Sequence, residues 1–179
     1  MNFKPSTRAA SATRATIARG GVLILGGGVA GSQVARHLGL NGATIVNPTN
    51  LACATCPGAD VLVGWAAELD AEARVAHMDS HGGRFSVAYA DLVVAVGATT
   101  VSGLGLPVDR RGQVEVDETL RVAGMPHVWA LGDCATVPNG AARGESSDHA
   151  TADARLQARC LARNLRETPR PCRFWPRGT

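Results

Sequence analysis

One glycine-rich corner constrains this chain more than any other feature. Gly26, Gly27, Gly28, Val29, Ala30 and Gly31 form a G-x-G-x-x-G run. It follows directly on the apolar segment 21–25 (GVLIL) and leads into 32–40 (SQVARHLGL). A short, wholly apolar run is the mark of a strand buried on both faces of a parallel sheet. In the segment that follows, Ala30, Val34, His37 and Leu38 recur at helical spacing, with Gly39 and Gly42 at its end. Residues 43–46 (ATIV) then read as a second buried strand. Strand, glycine turn, helix and strand in this order turn a weak pattern into a specific one. The glycines serve different ends. Gly26 allows the tight turn, Gly28 lets a pyrophosphate reach the backbone, and Gly31 lets the helix lie close on the strand. The free N–H groups at the helix start, at its positive dipole end, are then placed to hold phosphates.

The next element of a dinucleotide site departs from expectation. An acidic residue about 20 positions on should accept hydrogen bonds from ribose hydroxyls, but the residue there is Asn47. Its amide oxygen is an acceptor without charge, so the contact is weaker and repels a 2′-phosphate less. The alternative role for Asn47 is a turn residue in Asn-Pro.

Downstream, the pattern is not one of repeated strand–helix alternation. Strand-like segments at 61–68, 73–78 and 84–89 are expected to form a β-meander, with a hairpin at residues 79–83. Residues 91–96 (DLVVAV) are a further buried strand ending in Gly97-Ala98. The chain closes with another apolar strand running into Gly132-Asp133 and a helix over about 148–165.

With 179 residues, the chain has room for one domain and a sizeable core, not for two complete nucleotide-binding domains. The uncharged stretch 20–35 is shorter than the ~20 apolar residues of a membrane span and is broken by glycine. A net charge of +3 is too mild to imply nucleic acid. No acidic residue precedes Asp60. Residues 1–19, rich in Ser, Thr, Ala and Arg with no usable apolar period, are expected to be a disordered basic tail, or alternatively an organellar transit peptide. From Arg155 on there are seven arginines against Glu167 alone, expected to lie mostly on a solvated helix face. The expected division is tail 1–19, nucleotide-binding domain 20–166 and C-terminal tail 167–179. Five cysteines, an odd number, fit a reducing compartment, with the cytoplasm expected.

The glycine turn GGGVAG, the meander ending in ADLVVAVGA, and PHVWALGDCATVP together resemble a known family. It is the FAD domain of the pyridine nucleotide-disulfide oxidoreductase-like flavoproteins, with type II NADH:quinone dehydrogenases similar by eye. The resemblance implies an α/β, Rossmann-like FAD/NAD(P)-binding domain: a parallel sheet with an inserted β-meander. It implies an oxidoreductase (NADH dehydrogenase-like) with FAD as cofactor. The contacts it implies come from Gly26, Gly27, Gly28, Val29, Ala30, Gly31, Asn47, Gly97, Gly132, Asp133, Ala150 and Thr151. Asp133 matches the family aspartate that binds the ribityl and phosphate part of FAD; its other reading is a turn or helix cap. The helix starting near Ala150 and Thr151 is expected to face the pyrimidine edge of the flavin, where its dipole favours developing negative charge. His149, next to it, reads as a cap or surface residue.

Other family parts do not match. Only a few residues separate Ala98 from Gly105, where the family carries its NAD(P)H-binding domain, and no second G-x-G-x-x-G occurs. The segment between Asn47 and Asp60 is short. The electron donor is thus NAD(P)H, a separate electron-transfer partner or neither, and no catalytic residue is assigned. Two other readings stay open: a nucleotide-binding module without flavin chemistry, and a non-catalytic relic or partner subunit. Cys53 and Cys56 form a C-x-x-C without the helix start of a thioredoxin-like motif or the second pair of a zinc site. They read as incidental thiols and Cys134 as a packing residue, while Cys160 falls mid-helix and Cys172 in the C-terminal tail.

Overall fold

A computed structural model describes residues 15–18, 21–39, 43–49, 56, 59–97, 101, 103–138, 151–166 and 170–175. In chain order the elements are β1 (Ala15–Ala18), β2 (Val22–Leu25), α1 (Val29–Leu38), β3 (Ala43–Asn47), β4 (Asp60–Val63) and β5 (Trp65–Asp70). Next come β6 (Val75–Ser80), β7 (Gly83–Ala88), β8 (Asp91–Val94), β9 (Val114–Glu115) and β10 (Val128–Ala130). A 3₁₀ turn over Gly132–Cys134, β11 (Ala135–Thr136) and a second helix, α2 (Thr151–Asn164), complete the series.

The central sheet has the order β10-β8-β2-β3-β4 and is parallel throughout. Leu23, Ile24, Leu25, Leu92, Val93 and Val94 are all almost completely buried. That is why β2 and β8 read as unbroken apolar runs: covered on both faces, neither strand needs polar alternation. α1 returns the chain from β2 to β3, burying Ala30, Val34 and Ala35 while Arg36 and His37 stay exposed, and ends at Gly39 with φ 85°. α2 packs along α1. It buries Ala154, Gln157, Ala158, Cys160 and Leu161, and leaves Arg155, Arg159 and Arg163 on its outer face, as the basic spacing implies.

The meander follows β4 after a single residue, Gly64. β5, β6 and β7 are antiparallel neighbours, and β1 adds to β7 in parallel. β6 shows period-2 patterning: Ala76 and Met78 are buried, while His77 pairs with Ser86 across the ladder. The α/β class, the parallel sheet and the inserted meander are as the motifs imply.

Two expected tails behave differently. Within the first, residues 15–18 form an edge strand and no disordered tail, because β7 offers a free row of backbone groups that a short Ala/Thr/Ile segment can satisfy. At the other end, 170–175 dock on the domain. Phe174 is buried, its N–H donates to the Glu118 carbonyl at 2.7 Å, and Arg173 lies 3.5 Å from the Glu118 carboxylate. Cys160 and Cys172 are joined by a disulfide, Cα–Cα 5.4 Å. Among the described residues no helix is long and apolar enough to cross a membrane.

Candidate functional site: a glycine turn between three strand ends

Gly26 sits where β2 stops, with φ 101°, and donates its N–H to the Val46 carbonyl at 2.8 Å. Ala95 donates to the Leu25 carbonyl at 2.8 Å, so the turn is wedged between the ends of β3 and β8. A Cβ at Gly26 would lie 2.3 Å from the Ala95 oxygen, and one at Gly31 would lie 2.0 Å from the Gly26 oxygen. Both contacts are with backbone that cannot swing away, so only glycine fits. Gly28 differs: a Cβ there would meet nothing within 4 Å. It caps α1 without a side-chain partner, and no acidic residue stands in the first turn. The first bond of the helix is Ser32 N–H to the Gly28 carbonyl at 3.0 Å. The N–H groups of Val29, Ala30 and Gly31 precede it and lack an acceptor within the helix. An open backbone approach beside several donors at a positive helix end suits an anion.

Asn47 closes β3 beside this turn. Its Oδ1 accepts from Gly27 N–H at 3.0 Å, while its Nδ2 donates to the Thr49 carbonyl at 2.8 Å and to Thr49 Oγ1 at 3.1 Å. It thus serves as a turn residue, tying the glycine turn to the Asn-Pro turn, and Oδ1 keeps one further lone pair.

A cleft of about 190 Å³ opens here. Gly26, Gly28, Asn47, Gly97 and Trp65 are among the residues that line it. Trp65, 38% exposed and in edge contact with His81 at 5.8 Å, offers an aromatic wall that sequence reading missed. The signal is a tryptophan that opens a strand ahead of two alanines, WAAELD. Gly64, just before it, is constrained, since a Cβ would lie 2.8 Å from the Asp79 carbonyl oxygen.

The second corner is Gly132-Asp133. Gly132 has φ 77°, and its N–H donates to Gln157 Oε1 at 2.8 Å, from a side chain that is fully buried in α2. A Cβ on Gly132 would come within 3.2 Å of the Ala30 Cβ, so this corner rests against the first turn of α1. Two distant parts of the chain thus meet. Asp133 is exposed and does not line the cleft of Asn47 and Trp65; its backbone oxygen accepts from Gln113 Nε2 at 2.9 Å.

Asp109 buttresses the same corner. Burial alone would raise its pKa, but hydrogen bonds from Thr136 Oγ1 at 2.6 Å and the N–H groups of Gln113 and Arg111 hold it below the usual range. Thr151 opens α2 as expected, and Ala150 and His149 lie outside the described residues. Cys56 is buried with its Sγ 3.1 Å from the Ser32 carbonyl, and Cys53 lies outside the described residues. Burial pushes the Cys134 thiol up to about 12, which fits a packing role.

Residues 67–154 match the family model described as pyridine nucleotide-disulphide oxidoreductase. Among curated protein sequences, none matches the chain. Several solved structures share the fold. A NAD-dependent persulfide reductase from A. fulgidus aligns with TM-score 0.71 and 12% identity, over 83% of this chain and 60% of its own length. A pyridine nucleotide-disulfide family oxidoreductase from Enterococcus faecalis V583 aligns with TM-score 0.71 and 10% identity, over 86% and 70%. An NADH:rubredoxin oxidoreductase from Clostridium acetobutylicum gives 0.62 and 11%, over 89% and 78%. At such identities the likeness is one of fold, and the chain spans about 60% of the persulfide reductase. The glycine turn, the Gly-Asp corner, the match over residues 67–154 and the shared fold agree, so the chain has the fold of the pyridine nucleotide-disulphide oxidoreductases and resembles that family.

Proposed function

We propose that this chain is an FAD-binding oxidoreductase domain that holds one extended dinucleotide across its two corners. The observation that carries this reading is the contact between Gly132 and Ala30, which sets a carboxylate-bearing turn against the phosphate-facing start of α1. In this reading the backbone of Gly26–Gly31 holds the pyrophosphate, and Gly28 supplies the open approach. Asn47 Oδ1 accepts from the adenosine ribose, with Trp65 flanking the base. Asp133 takes the ribityl hydroxyls, and the start of α2 at Thr151 lies toward the flavin. The cleft fits this assignment. At about 190 Å³ it is smaller than the ~300–1,000 Å³ that encloses a whole drug-sized ligand, as expected if it receives only the adenosine end.

The flavin, when bound, supplies the capacity to take up a hydride or electrons. This chain's residues bind and orient it, and the dipole of α2 favours negative charge on the ring. The electron donor, NAD(P)H or a separate carrier, would come from outside the elements described. The separation of Asp133 from the adenosine cleft favours a second reading, a nucleotide module without flavin chemistry. Absorbance after reconstitution distinguishes them. A yellow protein with one flavin per chain supports the first; a colourless one that is still stabilised by ADP supports the second. A folded chain indifferent to every nucleotide would refute both and leave a relic or partner subunit.

A further inference from the structure

We infer that Cys160 and Cys172 form a reversible oxidation site, closed by small-molecule disulfides such as glutathione disulfide, that fastens the C-terminal strap 170–175 to α2. Cys160 lies on the buried face of α2, in line with Gln157, Leu161 and Asn164. Cys172 belongs to the strap and is only partly buried. The apposition of the pair does not depend on the sulfur bond. Asn164 grips the backbone of Cys172 from both sides: its Nδ2 donates to the Cys172 carbonyl at 2.9 Å, and its Oδ1 accepts the Cys172 N–H at 2.6 Å. The same Nδ2 donates to the Thr119 carbonyl at 2.9 Å, and Phe174 N–H bonds the Glu118 carbonyl at 2.7 Å. With Cα atoms held 5.4 Å apart, inside the normal disulfide span, the reduced thiols stay neighbours. Each then faces the other at an effective concentration far above that of a dissolved thiol.

Unequal access sets the order of events. Cys172 as thiolate attacks the glutathione disulfide, forming a mixed disulfide and releasing one glutathione thiolate. Cys160, after losing its proton to solvent, attacks the Cys172 sulfur and releases the second. Two protein thiols are oxidised, one small disulfide is reduced to two thiols, and the two protons end on the glutathiones. The other described cysteines do not compete. Cys56 and Cys134 are buried, and both sulfurs are engaged with backbone carbonyls. Closure turns a strap held by hydrogen bonds and one buried ring into a covalent loop that contains Arg170.

The test uses the folded full chain in a Cys53→Ser background, fully reduced, then exposed to glutathione disulfide. The expected product is lighter by two hydrogens, carries no glutathionyl group and is reversed by dithiothreitol. Cys160→Ser should instead trap one glutathionyl group on Cys172, and Cys172→Ser should show no reaction. Trypsin should cut after Arg173 about tenfold more slowly in the oxidised chain, because local opening of the strap is suppressed. A stable glutathione adduct on Cys172 with Cys160 intact would overturn the inference. So would loss of the two thiols only in denaturant, or equal cleavage at Arg173 in both states.

Discussion

The glycine turn allows a substitution that separates binding from folding. In Gly28→Ala the added methyl meets no atom within 4 Å, and the backbone at φ −69° and ψ −167° is open to alanine. Alanine is a poorer N-cap than glycine, but it also restricts the unfolded chain, a gain of about 0.4–1 kcal/mol. The net change in stability should stay within about 1 kcal/mol. The same methyl occupies the space through which a pyrophosphate would reach the backbone. Flavin or ADP affinity should then fall about ten- to hundredfold, equivalent to about 1.4–2.8 kcal/mol.

Gly31→Ala supplies the contrast. Its Cβ would lie 2.0 Å from the Gly26 oxygen, where a carbon–oxygen contact needs about 3.3 Å. Helix and turn must part by over an ångström, at a cost of about 3 kcal/mol or more. Urea unfolding and FAD titration of both variants decide the matter. If Gly28→Ala binds nucleotide as the parent does, the empty space above that residue is not the phosphate path.

Other outcomes follow from the same geometry. Asp133→Ala should weaken FAD while leaving ADP affinity unchanged within about twofold, since ADP lacks the ribityl chain; parallel titrations read this, and equal losses would contradict it. Gln157→Leu leaves the buried Gly132 N–H without its acceptor and should cost about 1–3 kcal/mol in urea unfolding. The Cys134 thiol, raised by burial from 9.0 to about 12, gives a contribution that is complete below pH about 9 and lost as the pH rises toward about 12. At its limit this shift corresponds to roughly 4 kcal/mol. Because burial also raises Tyr89, the difference in alkaline slope between the parent and Cys134→Ala is the quantity to measure. Reducing Cys160–Cys172 should lower stability by about 3 kcal/mol in the chain-entropy picture, with the reduced chain unfolding at lower urea.

Much of the fold was legible because its signals are local. The unbroken apolar runs of β2 and β8 can only be satisfied by burial on both faces, and the glycines at 26 and 31 stand where no other residue fits. The meander was readable from period-2 patterning and from the Gly82-Gly83 turn. What sequence could not show depends on contacts between distant segments. Strand β1 exists because β7 has an unpaired edge, a property of the folded sheet and not of residues 15–18. Cys160 and Cys172 meet because Asn164 curls the chain back after α2, and no spacing rule encodes that return. Trp65 looked like an ordinary strand residue until the end of β3 placed Asn47 and Pro48 across from it. Asp133 stands out through its motif, yet its place outside the cleft of Asn47 and Trp65 shows only once both corners are placed.

One ligand must engage both corners if this chain holds FAD as proposed. Equilibrium titration of the folded chain with FAD and, in parallel, with ADP measures this directly. FAD should bind at one per chain and at least about tenfold more tightly than ADP, because only FAD reaches Asp133 as well as Gly28. Equal affinities, or ADP binding without FAD binding, would show that the corners touch each other without sharing a ligand.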